Sequence, residues 1–257
     1  METLSYNALV LRLERSLSLG ELGAIRKMVP IQDCGEPLIE ISRKAFSFED
    51  PHPYQAVGAP YAGRSPYCVR EGILHKLTTA QNTLREMLPG YRLHIFDAYR
   101  PLAVQIYMVN YTRDAVIKRM ELDPDNLTYE QEKAAMQQVF KVWATPTSDP
   151  AQPPPHLTGS AVDLTIVDAA GNKLDMGSVF DEMSERILPN YYREDLSDYG
   201  RMVHRNRELL NTVMTSVGFF RVSHEWWHFS YGDQMWALLK HLVGLEPQSA
   251  AIYGAIE

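Results

Sequence analysis

The sequence predicts an α+β domain: a small, mainly antiparallel sheet flanked by helices. Three observations predict it. Apolar residues recur at helical intervals in some stretches and at every second position in others. The two kinds of stretch intermix without the regular rhythm of parallel βαβ units. The 257 residues suffice for one large domain with its own core, so no disulfide or metal is needed merely for folding.

In chain order, residues 5–28 carry Leu9, Val10, Leu13 and Leu17 at helical spacing and predict an N-terminal helical extension. Residues 45–67, rich in Pro, Gly and aromatics, read as ordered loop. Val69, Ile73, Leu77, Leu84 and Leu88 then mark a helix that Pro89-Gly90 stops. Tyr91–Phe96 alternates as a strand, and Pro101 fits the first turn of a helix reaching about Met120. Thr128 and Gln131 have the spacing of a capping box opening another helix. The prolines of 144–155 impose a stiff, non-helical connection. Ala161–Val167 is a strand, with Val162, Leu164 and Ile166 alternating against Ala161, Asp163 and Thr165. After a turn at Ala169–Asn172, Leu174–Asp181 is expected to return as a second strand. Residues 201–217 read as a helix closed by Gly218. Phe219–Phe229, dominated by aromatic and β-branched residues, reads as a strand, followed by a helix near 233–243.

Composition narrows the partners. Lys plus Arg number 25 against 32 Asp plus Glu, net −7, and no block of five like charges occurs, so neither nucleic acid nor an anionic membrane is an expected partner. No stretch approaches the ~18 consecutive apolar residues of a membrane span. The first apolar run, Ala8 to Leu11, is broken by Arg12, Glu14 and Arg15, unlike a signal peptide. Cys34 and Cys68 form no CxxC pair and suit a reducing compartment, so the expected location is cytoplasmic.

Most histidines have bland readings: His52, His75, His94, His204 and His241 lack ligand partners at useful spacing and are expected at the surface or as caps. His156 and Asp163 differ. Seven residues apart, they would lie on opposite faces of a continuous strand and converge only if the chain bends, which Thr158-Gly159 permits. Imidazole and carboxylate at such a corner make a plausible zinc pair; the alternative is a strand residue plus a turn-capping Asp. His224 to His228 reads literally as HExxH, the helical zinc-protease motif. In the extended chain expected here the two histidines stand about 13 Å apart at ~3.3 Å per residue, too far to share one ion, so at most one is a ligand. A di-iron reading from Glu-x-x-His fails because its other copy, Glu49–His52, contains Pro51. Asp97-Ala98-Tyr99-Arg100-Pro101 sits at a strand–helix junction, where taken alone a structural Asp97–Arg100 ion pair is the better reading.

Together, DAYRP (97–101), HLTGSAVDLT (156–165), DMGSVFDEMSER (175–186) and HEWWHF (224–229) resemble, in order, the D-alanyl-D-alanine dipeptidases, zinc peptidases of the hedgehog/D,D-peptidase fold group. The resemblance runs from about Gln32 to Tyr231 and divides the chain into an extension (1–30), a dipeptidase domain (31–245) and a tail (246–257). It implies one zinc per chain on His156, Asp163 and His228, Glu225 as catalytic base, Arg100 on the substrate carbonyl oxygen, Asp181 on the free amine, and a small dipeptide as substrate. Pro154 stands where the family usually has Ser, and Tyr54 and Tyr61 are candidates for the family's substrate tyrosine. The rivals are a D,D-carboxypeptidase or other peptidoglycan peptidase of the same group, an HExxH zincin with Glu246 as third ligand, and a non-enzymatic hedgehog-like zinc module. A structural zinc site needs neither Glu225 nor Arg100, which favours an enzyme.

Overall fold

The computed structural model describes residues 19–222, 224–244 and 250–256. Among them the elements are α1 (Leu19–Arg26), β1 (Leu38–Glu40), β2 (Ser47–Phe48), α2 (Pro53–Ala56), β3 (Cys68–Arg70), α3 (Glu71–Met87), β4 (Arg92–Asp97) and α4 (Leu102–Arg119). There follow α5 (Tyr129–Val139), β5 (Ala161–Val167), α6 (Asp198–Thr215), β6 (Phe220–Arg221), β7 (His228–Ser230) and α7 (Gln234–Leu242).

The α+β expectation holds. A five-stranded sheet runs β2-β4-β5-β7-β6, antiparallel except for the β2–β4 pair, beside a two-stranded ribbon of β1 and β3. Every residue of β5 is buried. Strand alternation therefore gives it two uses: Val162, Leu164 and Ile166 enter the hydrophobic core, while Asp163 and Thr165 belong to a buried polar layer on the other face. The α3 helix supplies Ile73, Leu77, Ala80 and Leu84 to that core and packs on α6 and β4. Thr128 and Gln131 form the reciprocal capping box that opens α5.

Several expectations are corrected. Leu174–Asp181 is not a strand: one bridge, Lys173 to Val167, closes the turn, after which Asp175 accepts from Gly177 N at 2.8 Å and the chain leaves the sheet. Tyr192 donates to the Gly177 carbonyl, and a Cβ at that glycine would lie 2.3 Å from the Tyr192 ring, so the turn is packed from outside. Phe219–Phe229 is not one strand but the antiparallel pair β6–β7: β6 ends at Arg221 and β7 begins at His228. Trp226 and Trp227 enforce the break: both indoles are buried, Trp226 N donates to Ile187 O, and its Nε1 reaches Ser178 Oγ at 2.8 Å. Residues 45–67 hold the short β2 and α2 within the loop, and β1 and β3 were not expected. The α6 helix begins earlier than 201, capped by Ser197. His52 and His94 are buried rather than surface residues: His52 pairs with Asp97, and His94 with Ser47 and Glu49. Of the N-terminal helix, 19–26 is helical and 5–18 lies outside the described residues, as does Glu246 of the zincin reading. Residues 250–256 pack against 30–36 through Ala251, Ile252 and Gly254. No helix among the described residues is long and apolar enough to cross a membrane.

Candidate active site

The bend required between His156 and Asp163 is present. Pro155–Thr158 forms a 3₁₀ turn, and Gly159, at φ +69°, reverses the chain into β5. A side chain there would be strained in backbone and would meet Leu38 at 2.6 Å. The turn swings His156 over β5, where its Nε2 lies 3.2 Å from Asp163 Oδ2. Asp163 and His228 are register partners on β5 and β7, so their side chains share a face, with His228 Nδ1 2.9 Å from Asp163 Oδ1. The three donors are buried and lie within 4.8 Å of one another.

The donor chemistry fits a metal ion. His156 Nδ1 is 2.7 Å from the Ala98 carbonyl, which can only accept, so Nδ1 carries the proton and Nε2 presents its lone pair to the cluster. That nitrogen stands 3.2 Å from His228 Nδ1. Two imidazole nitrogens and a carboxylate facing inward are a borderline-soft set of three, the pattern of sites that keep a position open for substrate or water. Burial alone would raise Asp163; His156 above all, with His228, outweighs it and holds this carboxyl below the usual range.

Around this group stand the remaining expected residues. Glu225, from the connection before β7, has Oε2 3.9 Å from His228 Nδ1. Burial, reinforced by Asp163 and Asp181, lifts its carboxyl well above the ordinary value. Arg100 leaves the end of β4 just before α4; its Nη2 lies 2.7 Å from Asp97 and 3.4 Å from both Asp163 and Tyr54, and its Nη1 donates to Gln105. Asp181, at φ +56°, accepts from Tyr54 OH at 2.8 Å, and burial pushes its carboxyl up to about 6. Of the two tyrosine candidates, Tyr54 reaches this site, whereas Tyr61 donates to Asp97 behind it. The predicted Asp97–Arg100 pair is real and also aims the guanidinium. His224 lines the same cavity, and burial with His228 pushes it down to about 4. His52, Gln105 and Trp143 were missed: His52 backs Asp97 at 3.1 Å, and the Trp143 ring lies 4.8 Å from the Arg100 guanidinium. Only the three-residue offset of Asp97 and Arg100 carried any signal for this support.

A cavity of about 780 Å³ opens onto Arg100, His156, Asp163, Asp181, Glu225 and His228 together. Comparison with known proteins gives its class, a metallopeptidase. The chain belongs to the M15 peptidase family, D-ala-D-ala dipeptidase, whose profile matches residues 48–243. It is 47% identical over 235 residues to a D-alanyl-D-alanine dipeptidase of Synechocystis sp. (strain ATCC 27184 / PCC 6803 / Kazusa), covering 89% of this chain and 95% of that protein. It is 34% identical over 170 residues to the D-alanyl-D-alanine dipeptidase of Escherichia coli (strain K12), covering 65% and 70%. A solved structure of the LdcB LD-carboxypeptidase is similar at a TM-score of 0.40 and 14% identity, over 82% of this chain and 74% of that one.

Proposed function

We propose that this chain hydrolyses D-alanyl-D-alanine and related dipeptides to free amino acids, using one zinc ion held by His156, Asp163 and His228. The observation that carries the reading is the meeting, in one cavity, of the inward-facing His–Asp–His group with an acidic residue, Asp181, able to receive a free amine. Zinc bound there supplies Lewis acidity toward water and the peptide carbonyl. Glu225, buried beside His228, takes the proton of the attacking water and returns it to the leaving amine. Arg100 stays charged because Asp97, chiefly, outweighs the cost of its burial. Held by Asp97 and Gln105, it meets the negative charge that develops on the carbonyl oxygen, a role worth on the order of 3 kcal/mol.

Asp181 fixes substrate length. Its carboxylate, hydrogen-bonded by Tyr54, pairs with the substrate's α-ammonium, and a longer peptide has no charge at that point. This separates the dipeptidase reading from a carboxypeptidase of the same fold group. A panel of D-Ala-D-Ala, L-Ala-L-Ala and N-acetyl-D-Ala-D-Ala against the zinc-loaded protein tests it: the first is cleaved, the acetylated form is not. Equal cleavage of acetylated and free dipeptide would make carboxypeptidase the better reading.

A further inference from the structure

A dipeptide is a zwitterion, and the groups described so far answer its amine and its scissile carbonyl but not its carboxylate. The cavity runs from Asp181 and His228 to the end of α1, where Gly23, Ala24, Arg26 and Lys27 line it beside Pro154 and Pro155. Pro153, Pro154 and Pro155 have no N–H, so this stretch of wall offers a carboxylate no backbone donor. A side-chain cation is the strongest donor that could answer a carboxylate there. Arg100 is already committed to Asp97, Gln105, Tyr54 and Asp163. Lys27 and Lys141 are exposed. Arg26 is half-buried, and among the described residues its guanidinium makes one long hydrogen bond, Nη1 to Pro153 O at 3.5 Å, and no ion pair. Burial pushes its pKa down, and Asp233, which lines the same cavity beyond ion-pair distance, offsets only part of the effect.

We propose that Arg26 is a specificity residue that binds the substrate's C-terminal carboxylate, so that Asp181 and Arg26 read the two ends of the dipeptide. The inference rests on the dipeptidase reading and adds to it a residue outside the 48–243 stretch that matches the family. Nη1 reaches Pro153 O, and the remaining guanidinium N–H groups of this cavity-lining side chain are left for charge-assisted bonds to the carboxylate.

The test compares wild type, Arg26→Gln and Arg26→Lys on D-Ala-D-Ala and on D-alanyl-D-alaninamide, which keeps the amine and the scissile bond but lacks the charge. Arg26→Gln should raise KM for the acid about tenfold to a hundredfold, the range of one charge-assisted hydrogen bond, with kcat within about twofold. The amide should be a poor substrate for wild type and no worse for Arg26→Gln, and Arg26→Lys should recover part of the loss. A strap that merely pinned α1 to Pro153 would weaken acid and amide alike and lower Tm; that result, or an unchanged KM, overturns the proposal. Wild-type turnover of D-Ala-D-Ala separately checks the dipeptidase reading. If another dipeptide is the substrate, the same acid–amide comparison is run on it; if none is cleaved, both readings fall.

Discussion

Two buried aspartates, Asp97 at the end of β4 and Asp163 in β5, are register partners and almost completely inaccessible. Both are held below the ordinary carboxylate range against the penalty of burial, but by different means. Asp97 carries its cation with it: Arg100 at 2.7 Å, supported by His52 and Tyr61. Asp163 faces two imidazole nitrogens, one of which has its proton fixed on the far side by Ala98. Asp97 holds Arg100 at 2.7 Å, whereas Asp163 shares that guanidinium only at 3.4 Å and turns its oxygens to the two imidazoles. Two neighbouring strands thus separate a structural charge pair from a group of donors that could hold a metal ion.

The sharpest break in this comparison is a pair of substitutions. Asp163→Asn should leave the apoprotein folded but abolish stoichiometric zinc and with it all turnover. Asp97→Asn should keep zinc yet lose about 3–5 kcal/mol of stability, because it leaves the buried Arg100 uncompensated. Metal analysis alongside thermal denaturation reads both; the reverse pattern would exchange the two roles. His156→Ala should behave like Asp163→Asn, and His224→Ala should keep its metal. A metal-free His224→Ala with a loaded His156→Ala would return the zincin reading.

Next in size is Glu225→Gln, expected to keep zinc and lose about 10²–10⁴ in kcat with KM little changed, as for a group acting on a proton in flight. Single-turnover rates with metal content measured on the same sample check it. Loss of metal would instead make Glu225 a ligand.

How much of this was legible differs between the same regions. The β5 corner could be read because its signals are local: three prolines, a glycine free to take positive φ, and a seven-residue alternation. The β6–β7 pair could not. Phe219, Phe220, Val222 and the tryptophans favour extended chain everywhere, and what breaks the run is Ile187 and Ser178 holding Trp226 from a distant loop. The separation argument for His224 and His228 therefore assumed a straight strand that does not exist. His52 was equally opaque, since its burial follows from Asp97, 45 residues away. Motif order pointed to the three residues that the structure brings together as possible metal donors; tertiary contacts supplied the residues that support them.

The smallest expected effect sharpens the comparison by adding a third carboxyl. Among the described residues Asp181 has neither a guanidinium at ion-pair distance nor a place in the donor set. Burial therefore prevails and pushes it up to about 6, with Asp163 and Asp97 adding to the rise and Arg100 and the Tyr54 hydroxyl opposing it. Only the ionised form pairs with an ammonium. At pH 7 Asp181 is mostly charged; as pH falls through about 6 it takes up a proton, and the free enzyme loses affinity for the dipeptide. KM for D-Ala-D-Ala should then rise, approaching tenfold per pH unit well below 6, in excess of any change in kcat. Asp181→Asn should show a high KM already at pH 7 and lose this part of the pH dependence, while zinc content stays constant across the range. A KM that rises equally in wild type and Asp181→Asn would move the titrating group elsewhere and remove the amine-reading role.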